Sequence, residues 1–159
     1  NSSRASVEAN SYKVLRKLFT QGKPEGFYFA RLRLKNRQGE LLDENLYWLT
    51  GDDSDWQELQ GLQPSEIKVG TERNNENLII AALENTGLET AFFMRMKITD
   101  KDNGEQMLPV FFEDNYITLF PGDKRQIEID LSHLAKSTGT SSLQLEVVPW
   151  SGNTITVGL

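Results

Sequence analysis

Residues 88–123 read LETAFFMRMKITDKDNGEQMLPVFFEDNYITLFPGD, and this stretch decides the fold. Its first half alternates between a mostly apolar and a mostly polar set of side chains: Phe92, Met94, Met96 and Ile98, and Phe93, Arg95, Lys97 and Thr99. A period of two is typical of a strand with one buried face. Asp102-Asn103-Gly104 then predicts a tight turn, because Asn and Gly tolerate the positive φ that a hairpin needs. The chain returns through residues 110–112, so the pattern predicts the middle of an all-β domain.

The chain from residue 65 onwards carries seven strand candidates: 67–72, 77–85, 91–99, 107–112, 124–131, 143–148 and 154–157. Turn-forming residues separate them, for example Pro121-Gly122. Seven short strands with turn signals over roughly 95 residues are typical of an immunoglobulin-like sandwich. One helical turn is predicted at residues 132–136, before Gly139. We therefore predict an immunoglobulin-like C-terminal domain over residues 65–159.

Residues 1–50 contain three strand candidates, at 12–19, 27–35 and 40–50. The second is the clearest, and its alternation predicts an inward and an outward set of side chains: Tyr28, Ala30, Leu32 and Leu34 inward, and Arg31, Arg33 and Lys35 outward. Three strands bury too little surface to form a stable domain. We therefore interpret residues 1–50 as the last three strands of a truncated immunoglobulin-like domain.

Residues 51–64 are predicted to connect the two domains. Ser54 or Asp55 is suited to cap one helical turn that ends at Gly61. Trp56, with Leu59 and Leu62, would then lie on one side of that turn and form a contact between the domains.

The two halves also resemble each other, and two alignments are open. In one, residues 29–34 align with residues 93–98 as related hairpin strands. In the other, residues 27–35 and 40–50 correspond to the last hairpin, residues 143–157. The second alignment explains a truncated first domain, and we favour it for the topology.

The composition excludes several classes of function. The formal charge is −6, from 17 basic and 23 acidic residues, which argues against nucleic acid or an anionic membrane surface as a partner. There is no cysteine, so neither a disulfide framework nor thiolate chemistry is available. No apolar run approaches the roughly 20 residues of a membrane-spanning helix, and no signal-peptide pattern occurs. Because the sequence begins at Asn1, we expect that an initiator or leader has been removed.

Motifs for metal or nucleophilic chemistry are weak. Asp100, Asp102 and Asn103 before Gly104 resemble part of a calcium loop, but the glycine falls at the fifth position instead of the sixth. A hairpin turn explains the same residues, so we expect no metal and no cofactor. His133 is the only histidine and has no Asp–Ser constellation around it, so we expect a surface or capping role.

Two groups of residues are candidates for carbohydrate chemistry. The carboxylates that could form a pair for glycoside hydrolysis are Asp52, Asp53, Asp55, Glu113 and Asp114. Loop residues 113–116 and the connector are the places where we expect carbohydrate contacts, through Trp56, Glu113, Asp114, Asn115 and Tyr116. The alternative is a solvated loop whose side chains bond the local backbone. Trp48, Trp56 and Trp150 are either a flat platform for sugar rings or packing residues of the cores.

Two longer segments carry a family resemblance. Residues 29–50, FARLRLKNRQGELLDENLYWLT, resemble a strand pair of glycoside hydrolase family 2 enzymes, in the exo-β-D-glucosaminidase and β-mannosidase-like group. Residues 90–122 resemble the C-terminal immunoglobulin-like domain of that group. The matching motifs occur in order: Asn85-Thr86, Ala91-Phe92-Phe93, Leu108-Pro109-Val110, Asp114-Asn115 and Pro121-Gly122.

The resemblance implies the C-terminal region of a multi-domain, retaining, exo-acting β-glycosidase, of bacterial origin and secreted or periplasmic. The two catalytic glutamates of such enzymes lie on a (β/α)₈ barrel of about 250 residues, a pattern that this chain does not contain. We therefore expect no catalytic residue here. The expected partners are the preceding domains of the same chain, which this region would pack against and support, with a loop at the rim of the barrel.

Two alternatives remain open. One is an autonomous carbohydrate-binding module that uses exposed tryptophans. The other is a generic interaction or adhesion sandwich, in which an unpaired strand edge would mediate a dimer.

Overall fold

The computed structural model describes residues 4–14, 22, 25–134 and 143–159. The chain divides into two compact units, Asn1–Gly61 and Leu62–Leu159, and each is described by itself. The first unit contains strands β1 (Phe27–Lys35) and β2 (Leu41–Thr50) and a 3-10 helix at Asp53–Gly61. The second contains β3 (Ile67–Arg73), β4 (Leu78–Asn85), β5 (Ala91–Asp100), β6 (Phe111–Phe112), β7 (Ile117–Leu119), β8 (Lys124–Asp130), β9 (Leu143–Val148) and β10 (Ile155–Gly158).

The described part of the chain has no helix of the length and apolarity needed to cross a membrane. Its strands pair antiparallel throughout, and the prediction of an all-β fold is confirmed. The predicted domain boundaries at residues 50 and 64 stay a prediction.

The second unit is a sandwich of two four-stranded sheets, with strand orders β3-β4-β8-β6 and β10-β9-β5-β7. Alternate residues of the central strands face the core, as the period-two patterns predict. The core consists of Ile79, Ala81, Leu83, Ala91, Met94, Met96, Ile98, Ile117, Leu119, Ile127, Ile129, Leu131, Leu143, Leu145 and Val147. Burial of this apolar surface is the main stabilising contribution to the unit.

Strand β5 follows the predicted alternation with one interruption. Met94, Met96 and Ile98 are fully buried, whereas Arg95 is exposed. The ladder with β7 shifts register between Ala91 and Met94, which is a β-bulge.

The sequence predicts that the chain returns beside β5 through residues 110–112, and this prediction is wrong. A turn follows Asp100 as predicted, and Gly104 adopts a φ of +73° that favours glycine. The ladder then ends at the bridge between Thr99 and Gln106, and Pro109, which has no N–H to donate, follows shortly afterwards. Strand β6 is only two residues long and pairs with β8 in the other sheet. The position beside β5 belongs to β7, a strand that the sequence pattern missed.

The side chain of Asn85 joins several segments at the end of β4. Its Nδ2 donates to the carbonyl oxygens of Glu89 and Leu119, at 2.8 Å each. Its Oδ1 accepts from the N–H of Gly87 at 3.0 Å and from the hydroxyl of Ser65 at 2.7 Å. Because Asn85 is completely buried, water cannot replace these hydrogen bonds.

The backbone of Asn85 completes the junction. Its N–H donates to the carbonyl of Asp123 at 3.0 Å, and its carbonyl accepts from the N–H of Gly122 at 2.9 Å. The approach of the neighbouring segments also requires Gly87, because an added Cβ there would lie 2.5 Å from the Ser65 hydroxyl oxygen.

In the first unit, β1 and β2 form an antiparallel hairpin in which Phe29 is opposite Trp48. The side chain of Asn36 closes the turn, since its Oδ1 accepts from the N–H groups of Gln38 and Glu40 at 3.0 and 2.9 Å. Tyr12 and its described neighbours are not in a strand, and residues 15–19 of that predicted strand lie outside the described residues.

The prediction that Leu32 and Leu34 point into a core is wrong for the described part of the first unit. Their side chains are 48% and 60% exposed. They lie on one face of a two-stranded sheet, and among the described residues β1 has only β2 as a strand neighbour. A period of two identifies the apolar face of a strand, but it carries no information on what covers that face.

A 3-10 helix of nine residues replaces the single helical turn predicted in the connector. Asp52 caps its start, in place of Ser54 or Asp55, and accepts from the N–H and hydroxyl of Ser54 at 3.0 and 2.9 Å. Of the turn predicted at residues 132–136, residues 132–134 form a turn and the remainder lies outside the described residues.

Replacing Asn85 by Ala should lower the free energy of unfolding by about 3 kcal/mol, because buried donors and acceptors lose their partners. Equilibrium denaturation in urea measures this change. The matched control is Asn103→Ala in the exposed turn after β5, where the expected loss is below about 1 kcal/mol. Equal losses in the two variants would contradict the assigned role of Asn85.

Candidate functional site

The predicted loop at residues 113–116 uses its polar groups in local contacts. The N–H of Glu113 donates to the carbonyl of Glu128 at 2.9 Å, and the N–H of Glu128 donates to Oε2 of Glu113 at 3.3 Å. Asp114 forms an ion pair with Arg125, with 2.9 Å between Oδ2 and Nη2. These contacts hold the loop against β8, and each of the two carboxylates has a partner on that strand.

Asn115 ties the same loop to β5. Its Oδ1 accepts from the N–H of Met96 at 2.7 Å, and its Nδ2 donates to the carbonyl of Met96 at 2.9 Å. The amide therefore acts as a neighbouring strand residue would, at a position where β7 has not yet begun. Its Oδ1 also accepts from the N–H of Tyr116 at 2.8 Å.

Tyr116 belongs to a group of aromatic rings with Phe93 and Trp150. The ring centroids of Phe93 and Tyr116 are 5.0 Å apart, and those of Phe93 and Trp150 are 6.4 Å apart. Tyr116 is 47% exposed and Trp150 is 50% exposed. We call these three rings the aromatic cluster.

Two residues of the aromatic cluster have unusual backbone conformations. Phe93 has a φ of +48° and Tyr116 a φ of +56°. For residues with a large side chain this left-handed region costs on the order of 1–3 kcal/mol each, and such residues concentrate at functional sites.

Trp56 lies in the first unit, against the start of β1. Its ring centroid is 5.5 Å from that of Phe27. Glu58 Oε2 accepts from the N–H of Phe27 at 3.0 Å, and Asp55 Oδ2 accepts from the N–H of Gly26 at 3.1 Å. The helix is therefore held against β1. The structure groups Trp56 with the first unit and residues 113–116 with the second, so the predicted set of carbohydrate-contacting residues stays a prediction.

A polar row on the outward face of β5 and β9 was missed by the sequence analysis. Lys97 Nζ lies 2.8 Å from Glu146 Oε2, and the hydroxyl of Thr99 donates to Glu146 Oε1 at 2.8 Å. Gln144 Nε2 donates to Thr99 at 3.1 Å. The signal was the polar residue at every second position of both strands, but the pairing of β5 with β9 was needed to join them.

The bonds in this row lower the pKa of Glu146. The largest cause is the hydrogen bond from Lys97, which outweighs the opposing effect of burial, and Thr99 and Gln144 act in the same direction as Lys97. The pKa of Asp52 is lowered by the N–H and then the hydroxyl of Ser54. The pKa of Asp130 is lowered by the N–H and hydroxyl of Ser132, with a smaller effect of His133.

The residues that resemble a calcium loop form local turn bonds. Asp100 Oδ1 accepts from the N–H of Asp102 at 2.7 Å, and Asn103 Oδ1 accepts from the N–H of Glu105 at 2.8 Å. No group of three potential metal ligands occurs among the residues that the structure describes.

The sequence matches the family model described as the exo-beta-D-glucosaminidase Ig-fold domain over residues 45–157. This range is more than half of the 159 residues. The chain belongs to this family. The resemblance to the C-terminal immunoglobulin-like region of the glucosaminidase and mannosidase-like group is thereby confirmed.

The relatives in this family are longer proteins. The exo-beta-D-glucosaminidase of Arthroderma benhamiae is 30% identical over 119 residues, which are 64% of this chain and 14% of the relative. That of Hypocrea virens is 30% identical over 133 residues, 68% of this chain and 15% of the relative. The matched part of the chain thus spans about one seventh of the length of these relatives.

A solved structure shows the same fold. The exo-chitosanase CsxA of Amycolatopsis orientalis aligns with a TM-score of 0.62 at 22% identity, over 85% of this chain and 18% of CsxA. At this identity the similarity concerns the fold alone. The relatives from Arthroderma benhamiae and Hypocrea virens are fungal proteins, and a bacterial origin stays a prediction.

Replacing Asn115 by Ala should lower the free energy of unfolding by about 2 kcal/mol, because the backbone of Met96 loses two bonds. The matched control is Arg125→Ala, which removes the exposed ion pair with Asp114, leaves the bond from the N–H of Asn115 to Asp114 Oδ1 in place, and should cost less than about 1 kcal/mol. Denaturation in urea measures both. A larger loss in the Arg125 variant would show that the ion pair, and not the amide, holds the loop.

The lowered pKa of Glu146 also predicts a pH dependence. Its stabilisation is fully present above the ordinary glutamate value near 4.5, and it is lost as the pH falls through the lower folded value. Glu146→Gln should therefore be less stable than the wild type at pH 7, and the difference should shrink below pH 4.5. Thermal unfolding from pH 7 to pH 3 measures this. A difference that stays constant from pH 7 to pH 3 would contradict the prediction.

Proposed function

We propose that this chain is the non-catalytic C-terminal β-sandwich region of a multi-domain, exo-acting β-glycosidase. In that enzyme it packs against the preceding domains and supports the catalytic barrel. The observation that carries the proposal is the family match over residues 45–157, combined with much longer relatives that are named exo-beta-D-glucosaminidases and are matched over only 14% and 15% of their length.

The chemistry of the carboxylates supports a role without catalysis. A general acid needs a raised pKa so that it keeps its proton near neutral pH. Among the described residues, the carboxylates with a displaced pKa, Asp52, Asp130 and Glu146, are all shifted downward. Glu113 and Asp114 are occupied in local bonds that hold a loop.

The surface of the first unit supports the packing role. One face of the β1–β2 sheet presents Leu32, Leu34 and Tyr47, each about half exposed or more. Exposed apolar side chains that share one face of a sheet favour packing against another protein surface. Arg33 and Glu44, on the opposite face, form an ion pair instead.

The absence of catalysis is tested with the purified chain, using an aryl β-D-glucosaminide and chitosan oligosaccharides as substrates. We expect no hydrolysis above the buffer rate. An intact relative, such as the enzyme of Hypocrea virens, is the positive control. Hydrolysis that follows the chain through purification and is abolished by Glu113→Gln or Asp114→Asn would overturn the proposal.

The supporting role is tested in a relative. The exo-beta-D-glucosaminidase of Arthroderma benhamiae is prepared without the segment that matches this chain. We expect a lower melting temperature and faster thermal inactivation, because the apolar surfaces that contact the segment become exposed. The control is a deletion of equal length in an exposed loop elsewhere. An unchanged melting temperature and an unchanged kcat/KM would contradict a supporting role.

A further inference from the structure

The aromatic cluster lies on the outward side of β5, away from the core. Trp150 follows β9, and its N–H donates to the carbonyl of Phe92 at 3.1 Å, which brings its ring beside β5. Tyr116 precedes β7 on the other side of β5. Phe93 therefore has one half-exposed ring on each side.

The backbone that carries Phe93 and Tyr116 is held in place by side-chain hydrogen bonds. The left-handed backbone of Tyr116 is fixed by Asn115, whose amide is itself bound to Met96. The N–H of Phe93 donates to the hydroxyl of Thr118 at 3.3 Å. A site on a backbone that is already fixed loses less conformational entropy when a ligand binds.

The rings do not form a flat platform. Phe93 and Tyr116 are inclined at 37° to each other, and Phe93 and Trp150 at 74°. Rings inclined in this way present their exposed faces at an angle to each other, and we call this angled surface the cup. It suits a ligand with thickness, such as a saturated ring, better than a flat aromatic one.

Polar groups border the cup on one side. Arg95 Nη2 donates to Gln106 Oε1 at 3.1 Å, and both side chains are exposed. The register that pairs Met94 with Ile117 brings Tyr116 opposite Arg95. Hydrogen-bond donors beside apolar rings are the combination that binding sites use for ligands with one apolar and one polar side.

Arg95 places a cationic side chain beside the aromatic cluster. Arg95 donates to a neutral amide, whereas Lys97, the next cation on the outward face of β5, is paired with Glu146. The charged groups that face the site from β5 and β9 are therefore Arg95 and the compensated pair of Lys97 and Glu146. An oxygen-rich, uncharged ligand complements this charge, and an ammonium group does not.

We propose that Phe93, Tyr116 and Trp150, with Arg95 and Gln106, form a binding site for a neutral pyranose ring of an oligosaccharide. The apolar C–H face of the sugar packs on the rings, and its hydroxyl oxygens accept from Arg95 and from the amide of Gln106. The site discriminates against protonated amino sugars through the charge of Arg95. This function is separate from support of a catalytic barrel, and it does not depend on it.

The binding test is titration calorimetry of the whole chain at pH 5.5, where the amines of glucosamine oligomers are protonated. The neutral probes are N-acetylchitotriose and mannotriose, and the cationic probe is the glucosamine trimer. We expect millimolar or tighter dissociation constants for at least one neutral probe, and binding of the glucosamine trimer that is weaker by about tenfold or more.

Substitutions of the ring residues test whether the ligand binds at the cup. Trp150→Ala removes one wall, and Tyr116→Asn removes another while Asn still accepts a left-handed φ. Each should weaken binding of the neutral probe by about tenfold or more, since stacking contacts are lost. The matched control is Phe111→Ala, which removes a 56% exposed aromatic ring from the other sheet of the same unit and should leave binding unchanged. Melting temperatures of all variants show whether the fold is retained.

The charge is tested with Arg95→Gln, which should reduce the discrimination between the neutral and the cationic trimer to less than about threefold. The proposal is overturned if the wild type binds none of the neutral probes, or if Phe111→Ala weakens binding as much as Tyr116→Asn does. It is also overturned if gel filtration shows a dimer that Tyr116→Asn dissociates, because the cup is then occupied by a second copy. None of these outcomes depends on the hydrolysis assay, so a failure of this proposal and a failure of the proposed function are distinguishable.

Discussion

The amide of Asn85 is the constraint on which the sandwich depends. At the end of β4 the chain leaves one sheet and enters β5 in the other, so its backbone groups lose their ladder partners inside the protein. The buried amide supplies two donors and an acceptor at that place and binds the carbonyls of Glu89 and Leu119. Without this amide, the buried carbonyl groups would have no hydrogen-bond partners at the point where the chain crosses from one sheet to the other.

Asn115 also supplies hydrogen-bond partners to backbone groups that have no ladder partner, in this case on β5. Where β7 has not yet begun, its amide replaces a strand and satisfies both backbone groups of Met96. The chain can then enter β7 through Tyr116 in a left-handed conformation, which a residue with a large side chain adopts only when its surroundings impose it. A rigid core junction at one place and a strained aromatic residue at the other thus arise from the same side-chain chemistry.

Asn85 and Asn115 illustrate which features of the fold can be predicted from local sequence patterns and which cannot. Alternation predicted the central strands, because burial of one face enforces a period of two. It could not predict β7, which is three residues long, nor the change of sheet at β6 after Pro109. Asn85-Thr86 and Asp114-Asn115 were recognised as family motifs, but their function depends on carbonyl groups that are distant in sequence. Which segment covers a strand face also depends on residues that are distant in sequence. The alternation in β1 could therefore not predict that Leu32 and Leu34 are exposed.

The same non-local contacts decide what the carboxylates can do. A sequence rich in Asp and Glu always contains pairs with plausible spacing for glycoside hydrolysis. In the folded chain, Glu146 accepts from Lys97, Thr99 and Gln144, so its ionised form is stabilised and its pKa is lowered. A carboxylate in that environment is a fixed acceptor that joins β5 to β9, and it is a poor proton donor at neutral pH. The donors that hold Glu146 in place therefore also remove it from acid catalysis, and this residue contributes to the architecture of the sandwich for that reason.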